Sequence, residues 1–268
     1  MTLRALLFDL DGTLADTERL GHRPAYNRAF RKLGLPFRWG PKLYRKLLRH
    51  TGGKERLLQY LKRYDPDLGE HREPIHTDPR RWASAVHALK SRYFRRLVRR
   101  GRVPLRPGVA RLMGEAKTEG LRLAIVTSAS RSTLAPILRH SLGAALVRQF
   151  DVLVCGREVE HKKPAPDLYL LALARLELAA HECVAIEDSQ AGLAAATAAG
   201  IATVVTTNDN TAHEDFAGAR LVVDTLGEPE AASAVLRGRL DGPCVTVPAL
   251  RTLVTPPATA LRRAARVA

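Results

Sequence analysis

The first apolar stretch of the chain runs from Leu6 to Phe8 and is followed by two acidic residues, Asp9 and Asp11. A short continuous apolar run is typical of a central strand in a parallel sheet, buried on both faces. Side chains alternate along a strand, so we expect Asp9 and Asp11 on the same side, at the carboxyl end where open α/β sheets bind ligands. A plain strand followed by an Asp-Gly turn is the alternative interpretation.

Residues 18–105 have the periodicity of helices. Apolar side chains recur three and four residues apart in four stretches, which are residues 25–35, 43–48, 57–61 and 82–98. The polar, proline-containing segment 64–79 predicts a loop before the last of these helices. Because no convincing strand occurs here, the pattern predicts an all-helical insertion.

Strands and helices alternate after Pro107. The predicted strands are residues 121–126, 150–155, 183–186 and 201–205, and the predicted helices are residues 109–119, 132–142 (ending at Gly143), 167–176 and 191–199. This alternation predicts an α/β fold with a doubly wound, Rossmann-like parallel sheet. We assign residues 1–17 and 106–228 to this core, 18–105 to the inserted helical domain, and 229–268 to a basic, partly ordered extension.

Composition narrows the cellular setting. The chain has 268 residues, 46% of them hydrophobic, and no apolar run approaches the roughly 18 residues of a membrane span. The N-terminal residues lack the pattern of a signal peptide, and the three cysteines have no metal-ligand spacing and suggest no disulfide framework. We therefore expect a cytoplasmic protein without a membrane partner, and a monomer.

The positive charge is concentrated in the helical insertion. Residues 18–105 contain 24 Lys and Arg against seven Asp and Glu, whereas the rest of the chain contains 19 against 20. A field of this sign attracts anions such as phosphorylated metabolites, nucleic acid or a membrane surface. Arginines on solvated helix faces with no partner are the alternative explanation.

Polar residues follow the predicted strands at four places, and in a parallel sheet these ends meet at one edge. They are Asp9 with Asp11, Thr127 with Ser128, Lys163 within Lys162-Lys163-Pro164, and Glu187 with Asp188. Such a set offers a nucleophile, a proton donor, cation ligands and groups that bind phosphoryl oxygens. It therefore suits phosphoryl transfer.

In this order, the four groups resemble the motifs of the haloacid dehalogenase-like phosphatases. The resemblance covers nearly all of residues 1–225, and the helical insertion is similar to the C1-type cap domain of that superfamily. It implies that Asp9 attacks phosphorus and becomes an aspartyl-phosphate, while Asp11 acts as general acid and then general base. It implies Mg²⁺ as cofactor, with Asp9, Asp11 (through its backbone carbonyl), Glu187 and Asp188 in the metal site. Thr127, Ser128 and Lys163 would contact the phosphate, although Thr127 could instead cap its strand.

Within the superfamily, the insertion resembles the CbbY-like branch, the xylulose-1,5-bisphosphate phosphatases. The resemblance implies that Glu18 accepts a hydrogen bond from the sugar. The other substrate-binding residues it implies are His22, Arg23 and the distal phosphate site Gly52, Gly53, Lys54 and Arg56. A glycine pair leaves backbone N–H groups accessible, and Lys and Arg add charge-assisted hydrogen bonds. For Phe30, Trp39 and Tyr44 we favour a role in the core of the helical domain.

Three other functions remain open from the sequence. Within the fold, a phosphoglycolate phosphatase or a β-phosphoglucomutase would use the same core motifs. In a different class, the basic insertion could bind nucleic acid above an inactive core. The complete motif set argues against that, so we expect a small phosphorylated sugar as partner rather than nucleic acid.

Overall fold

The computed structural model describes residues 2–50 and 52–254. The described residues before Asp16 and after Pro104 form one compact unit, here called the core unit. Asp16–Pro104 form the second, here called the helical unit.

The core unit is built on a seven-stranded sheet. Its strands are β1 (Ala5–Phe8), β2 (Arg122–Thr127), β3 (Val152–Cys155), β4 (Cys183–Glu187), β5 (Ala202–Thr206), β6 (Leu221–Val223) and β7 (Val235–Arg237). They lie in the order β3-β2-β1-β4-β5-β6-β7. All neighbours pair in parallel except β7, which is antiparallel to β6. The α/β fold with a doubly wound parallel sheet is therefore confirmed.

The helices fall into two groups, one in each unit. Those of the helical unit are α1 (Arg23–Lys32), α2 (Pro41–Leu48), α3 (Gly53–Tyr64), α4 (Arg72–Thr77) and α5 (Pro79–Arg99). Those of the core unit are α6 (Val109–Thr118), α7 (Arg131–Ile137), α8 (Gly143–Val147), α9 (Asp167–Leu176), α10 (Gln190–Ala198) and α11 (Val247–Val254). No helix in the described part of the chain is long and apolar enough to cross a membrane.

β1 lies at the centre of the sheet, between β2 and β4. Every residue of β1 is fully buried, as its continuous apolar sequence predicts. The register places Phe8 opposite Ile125 of β2 and Ile186 of β4. The polar residues that follow these three strands are thereby brought to one edge of the sheet.

Aromatic side chains form the core of the helical unit. Phe30 and Trp39 are fully buried, as predicted, and their ring centroids lie 4.9 Å apart in an edge-to-face arrangement. Tyr26 packs against Trp39 at 4.7 Å and Tyr44 at 6.3 Å. This packing anchors α1 to the segment that leads into α2.

Several sequence predictions differ from the structure. The predicted loop 64–79 contains a 3-10 turn, Gly69–His71, and the helix α4, whose six residues are too few for a recognisable apolar period. The helix predicted over residues 132–142 is observed as α7 and a π-helical turn, Leu138–Leu142; it ends at Gly143 as predicted, where φ is +80°, and the short α8 follows. β6 and β7 have three residues each, too few for a recognisable pattern.

The segment after Pro229 contains β7 and α11. α11 buries Val247, Leu250 and Val254, which recur at helical spacing. Residues 255–268, the end of the predicted basic extension, lie outside the described residues.

Candidate active site

Three buried carboxylates meet at the carboxyl edge of the sheet. Asp9 directly follows β1, Glu187 is the last residue of β4, and Asp188 comes next. The Asp9 N–H donates to the Ile186 carbonyl at 2.9 Å, which holds the two strand ends in register. One carboxylate oxygen from each of the three residues lies within 4.8 Å of the others.

Lys163 inserts its ammonium group into this cluster. It approaches from the segment between β3 and α9, and its side chain is only 7% exposed. Nζ donates to Asp9 Oδ1 at 2.7 Å, to Glu187 Oε1 at 2.6 Å and to the Val126 carbonyl at 2.7 Å. All three ammonium hydrogens thus have acceptors, which fixes the amine beside the candidate nucleophile.

The cluster shifts the pKa values of its members. Burial raises the pKa of Asp9 to about 7, with Lys163 opposing the shift and Glu187 and Asp11 adding to it. Burial, then Asp9 and Glu187, raise the pKa of Asp188 well above its usual range. Although burial favours the neutral amine, Asp9 and Glu187 hold the pKa of Lys163 above its ordinary value. Each shift follows from placing several acidic groups with one amine out of water.

This donor set fits a hard divalent cation. Asp9, Glu187 and Asp188 offer carboxylate oxygens, and one lysine offsets only part of their negative charge. Mg²⁺ prefers oxygen ligands and is bound by one or two carboxylates with water and phosphate. The residues present therefore suit the predicted Mg²⁺.

Asp11 lies in a turn beyond the strand. β1 ends at Phe8. The carboxylate of Asp11 is half-buried and does not belong to the cluster of Asp9, Glu187 and Asp188. Gly12 follows with a φ of +95°, and a Cβ there would lie 2.1 Å from Asp188 Oδ2. Only glycine allows the turn to pass so close to Asp188. Asn208 Nδ2 donates to the same oxygen, Asp188 Oδ2, at 2.7 Å.

Thr127 is the last residue of β2, on the other flank of β1, and Ser128 follows it. Thr127 is buried, and its Oγ1 accepts the Ala129 N–H at 3.0 Å, which matches the strand-capping alternative. Ser128 is half-buried. Thr127 stands one residue beyond Val126, whose carbonyl binds Lys163, so both belong to the same edge of the site.

Arg106 is a residue of this region that the sequence analysis missed. Its guanidinium donates to carbonyls of Gly12, Thr206 (3.0 Å), Thr207 (2.6 Å) and Asp224 (2.6 Å). It also donates to Thr206 Oγ1 at 2.9 Å. One side chain thereby ties the turn after Asp11 to the ends of β5 and β6.

Two further contacts of the site were not predicted from the sequence. Tyr169 of α9 donates to Glu187 Oε1 at 2.6 Å, and Asn208 holds Asp188. Asn208 follows a predicted strand, a signal that could have found it. Tyr169 and Arg106 carry no such signal, because their partners are set by the packing of α9 and by the return of the chain from the helical unit.

In the helical unit, Glu18, Tyr44 and Arg56 form a hydrogen-bonded chain. The Tyr44 hydroxyl donates to Glu18 Oε2, and Arg56 Nη1 donates to that hydroxyl at 3.0 Å. Arg56 is buried, and its Nη1 lies 3.8 Å from Glu18 Oε2. Tyr44 is thus part of the core, as favoured, but it also orients two predicted substrate-binding residues.

Gly53 is the first residue of α3, and Gly52 stands directly before it. Gly52, at φ +95°, precedes the helix, and the Gly53 carbonyl accepts the Tyr26 hydroxyl at 2.8 Å. Lys54 is exposed in the first turn of α3. The N–H groups of a first helical turn and an adjacent lysine favour an anion.

His22 and Arg23 have different surroundings. The His22 ring is buried and stacks on Phe94 with centroids 4.0 Å apart, and no hydrogen-bond partner is found for its Nδ1. Burial lowers the pKa of His22 well below its ordinary value, and nearby Lys90, Arg56 and His87 lower it further. Arg23 is half-buried and lines a cleft beside α1.

Comparison with known proteins identifies the family. The family model for the haloacid dehalogenase-like hydrolases matches residues 3–200. The chain belongs to this family.

Within the family, it falls in the CbbY-like branch. It is 46% identical to the plasmid-encoded CbbY protein of Cupriavidus necator over 85% of this chain and 87% of that protein. It is 41% identical to CbbY of Cereibacter sphaeroides over 84% of this chain and 94% of that protein. The chain is therefore a phosphatase of the haloacid dehalogenase-like family.

Two solved structures of a CbbY protein are similar to this chain. CbbY from Rhodobacter sphaeroides in complex with phosphate superposes with a TM-score of 0.71, at 40% identity over 84% of this chain and 95% of that one. A mutant of the same protein, in complex with xylulose-(1,5)bisphosphate, gives a TM-score of 0.71 at 39% identity, with the same shares covered.

Arg106→Lys tests the clamp on the turn after Asp11. Lysine keeps the charge but cannot reach several acceptors at once, so some carbonyls lose their partner. We expect the free energy of unfolding to fall by about 2–4 kcal/mol, together with a lower kcat. Urea unfolding and steady-state kinetics measure both, with exposed Arg157→Lys as the control. A variant equal to the wild type in both would contradict the clamp.

His22→Phe tests the buried histidine. A histidine whose folded pKa is depressed stabilises the fold above its unfolded pKa, and that stability is lost as the pH falls below about 6.5. Between pH 7.5 and 5.5, the wild type should lose about 1 kcal/mol more than His22→Phe. Both tryptophans, Trp39 and Trp82, lie in the helical unit, so their fluorescence during urea unfolding reports this difference. The exposed His76→Gln control should behave as the wild type, and equal pH profiles for all three proteins would refute the expectation.

Proposed function

We propose that this chain is a Mg²⁺-dependent sugar-bisphosphate phosphatase that converts xylulose 1,5-bisphosphate to xylulose 5-phosphate and inorganic phosphate. The observation that carries the reaction class is the buried group of Asp9, Glu187 and Asp188 around a single lysine. An amine alone does not neutralise three carboxylates. A divalent cation would supply the missing positive charge and would in turn attract the phosphate ester.

In the first step, a carboxylate oxygen of Asp9 attacks phosphorus and the bond from phosphorus to the sugar oxygen breaks. Asp11 gives its proton to that oxygen, and the dephosphorylated sugar leaves. In the second step, Asp11 takes a proton from water, which attacks phosphorus and releases inorganic phosphate. Asp9 then returns to its free carboxylate.

Lys163 supports Asp9 as the nucleophile. Its hydrogen bond of 2.7 Å to Asp9 Oδ1 favours the charged carboxylate and leaves Oδ2 for attack. Its other bonds, to Glu187 and the Val126 carbonyl, keep the amine from turning away. Thr127 and Ser128, at the end of β2, are the candidate donors to the phosphoryl oxygens.

Asp9, Glu187, Asp188 and the backbone carbonyl of Asp11 are the residues that would hold the cation. When bound, Mg²⁺ supplies positive charge that offsets the charge of the phosphoryl oxygens. Asn208 and Gly12 restrict the position of the Asp188 carboxylate, which is needed for a metal that demands near-octahedral geometry.

The choice of a bisphosphate rests on the helical unit and on the relatives. We propose that Lys54, the first N–H groups of α3 and Arg56 bind the second phosphate, and that Glu18 accepts a hydrogen bond from the sugar. The Tyr44 hydroxyl, shared between Glu18 and Arg56, holds these two side chains in place. A CbbY protein has been crystallised with xylulose-(1,5)bisphosphate, which supports the same substrate here.

A hydrolysis panel with Lys54→Ala tests the proposal. The panel comprises xylulose 1,5-bisphosphate, ribulose 1,5-bisphosphate, fructose 1,6-bisphosphate, β-glucose 1-phosphate and phosphoglycolate. The wild type should release phosphate fastest from xylulose 1,5-bisphosphate, lose activity in EDTA and regain it with Mg²⁺. Lys54→Ala should raise KM for that substrate about tenfold, the usual size of one lost charged contact, and leave KM for phosphoglycolate unchanged.

The matched control is Lys42→Ala, a change at another exposed lysine of the helical unit. It should leave both KM values unchanged. A preference for a monophosphate would overturn the bisphosphate assignment. An isomerised monophosphate without phosphate release would identify a mutase. Full activity in EDTA would show that the reaction does not require a divalent cation.

A further inference from the structure

A basic cleft borders α1 in the helical unit. It has a volume of about 750 Å³ and lies between α1 and the segment that follows it, residues 34–38. Four arginines line it, and no acidic residue does; they are Arg23, Arg28, Arg31 and Arg38. We call it the arginine cleft.

The four guanidinium groups have no carboxylate partner among the residues the structure describes. Arg31 and Arg38 are exposed, whereas Arg23 and Arg28 are half-buried. Half-buried like charges repel one another, and an anion between them removes that repulsion. Guanidinium forks also match the oxygens of phosphate in pairs.

The walls of the cleft are fixed by contacts inside the helical unit. Asn27, part of the lining, donates from Nδ2 to the Trp39 carbonyl at 2.9 Å and accepts the Trp39 N–H at 2.8 Å. Phe37, also in the lining, packs edge-to-face on Phe30 with centroids 4.9 Å apart. These contacts hold the segment against α1, so the cleft exists before any ligand binds.

The arginine cleft is separate from the proposed second phosphate site at α3. Arg23, Asn27 and Arg31 recur every four residues along one face of α1. Tyr26 and Phe30 form a different face, which is buried in the aromatic core, and Tyr26 donates its hydroxyl to Gly53 at the start of α3. Since the cleft and the Gly53 contact lie on different faces of α1, a ligand in the cleft occupies its own position.

We propose that the arginine cleft binds a small soluble ligand carrying two or more phosphate groups. Its concave form and volume are those of small-molecule sites, which commonly enclose about 300–1,000 Å³. Nucleic acid would instead need a positive surface that follows a long backbone. Four arginines without counter-charges match the charge of a di- or triphosphate.

The test measures binding of inorganic tripolyphosphate to the full chain by isothermal titration calorimetry, in EDTA and at fixed salt. Without a divalent cation, the acidic cluster at Asp9 repels the probe. We expect one saturable site. Its Kd should rise about tenfold or more in Arg28→Ala/Arg31→Ala/Arg38→Ala, because three charge-assisted contacts are lost. The double variant of the exposed pair, Arg31→Ala/Arg38→Ala, should show an intermediate loss if the triple variant does not fold.

The control is Arg92→Ala/Arg95→Ala/Arg99→Ala, which removes the same charge from exposed positions of α5. Its Kd, and that of Lys54→Ala, should stay within about twofold of the wild type. Equal losses in the cleft and control variants, or no saturable binding, would overturn the proposal. Tighter binding of duplex DNA, equally weakened by both triple variants, would assign the basic surface to nucleic acid instead.

Discussion

The architecture of the core unit depends on holding Asp9, Glu187 and Asp188 together out of water. Separated carboxylates would be solvated, whereas burial, and then the close approach of the acidic groups, raises the pKa of Asp9 and Asp188. Lys163 donates hydrogen bonds to two of the three carboxylates and offsets part of their negative charge. The negative charge that remains is what the proposed cation would balance, and the cation would in turn attract the anionic ester. The same arrangement would be unfavourable in a protein with no such ligand.

The sequence predicts the fold and the motif residues well for a physical reason. Buried parallel strands are continuous apolar runs, and their carboxyl ends meet at one edge, so Asp9, Thr127 and Glu187 could be placed from chain order alone. The register of β1 with β4 then fixes how close the carboxylates come. No local pattern encodes the clamp by Arg106, because its acceptors come from segments as far as 118 residues away in the chain.

The sequence predicts fewer of the side-chain contacts in the helical unit than in the core unit. Apolar spacing located its main helices and its aromatic core, but not the sharing of the Tyr44 hydroxyl between Glu18 and Arg56. Such networks depend on the packing of several helices at once. The structure also locates part of the excess positive charge of residues 18–105; the rest of the chain is nearly neutral. This part of the charge lines the arginine cleft, on a different face of α1 from the Tyr26 contact with Gly53 at the start of α3.

The central claim is that Asp9 carries the phosphoryl group during turnover. Mixing the enzyme with xylulose 1,5-bisphosphate and Mg²⁺, quenching in acid and mapping the peptides by mass spectrometry tests it directly. We predict one phosphoryl group on the peptide that contains Asp9, absent from Asp9→Asn, which should also lose phosphatase activity, and unchanged in exposed Glu160→Gln. A phosphoryl group on any other residue, or full activity in Asp9→Asn, would contradict the account.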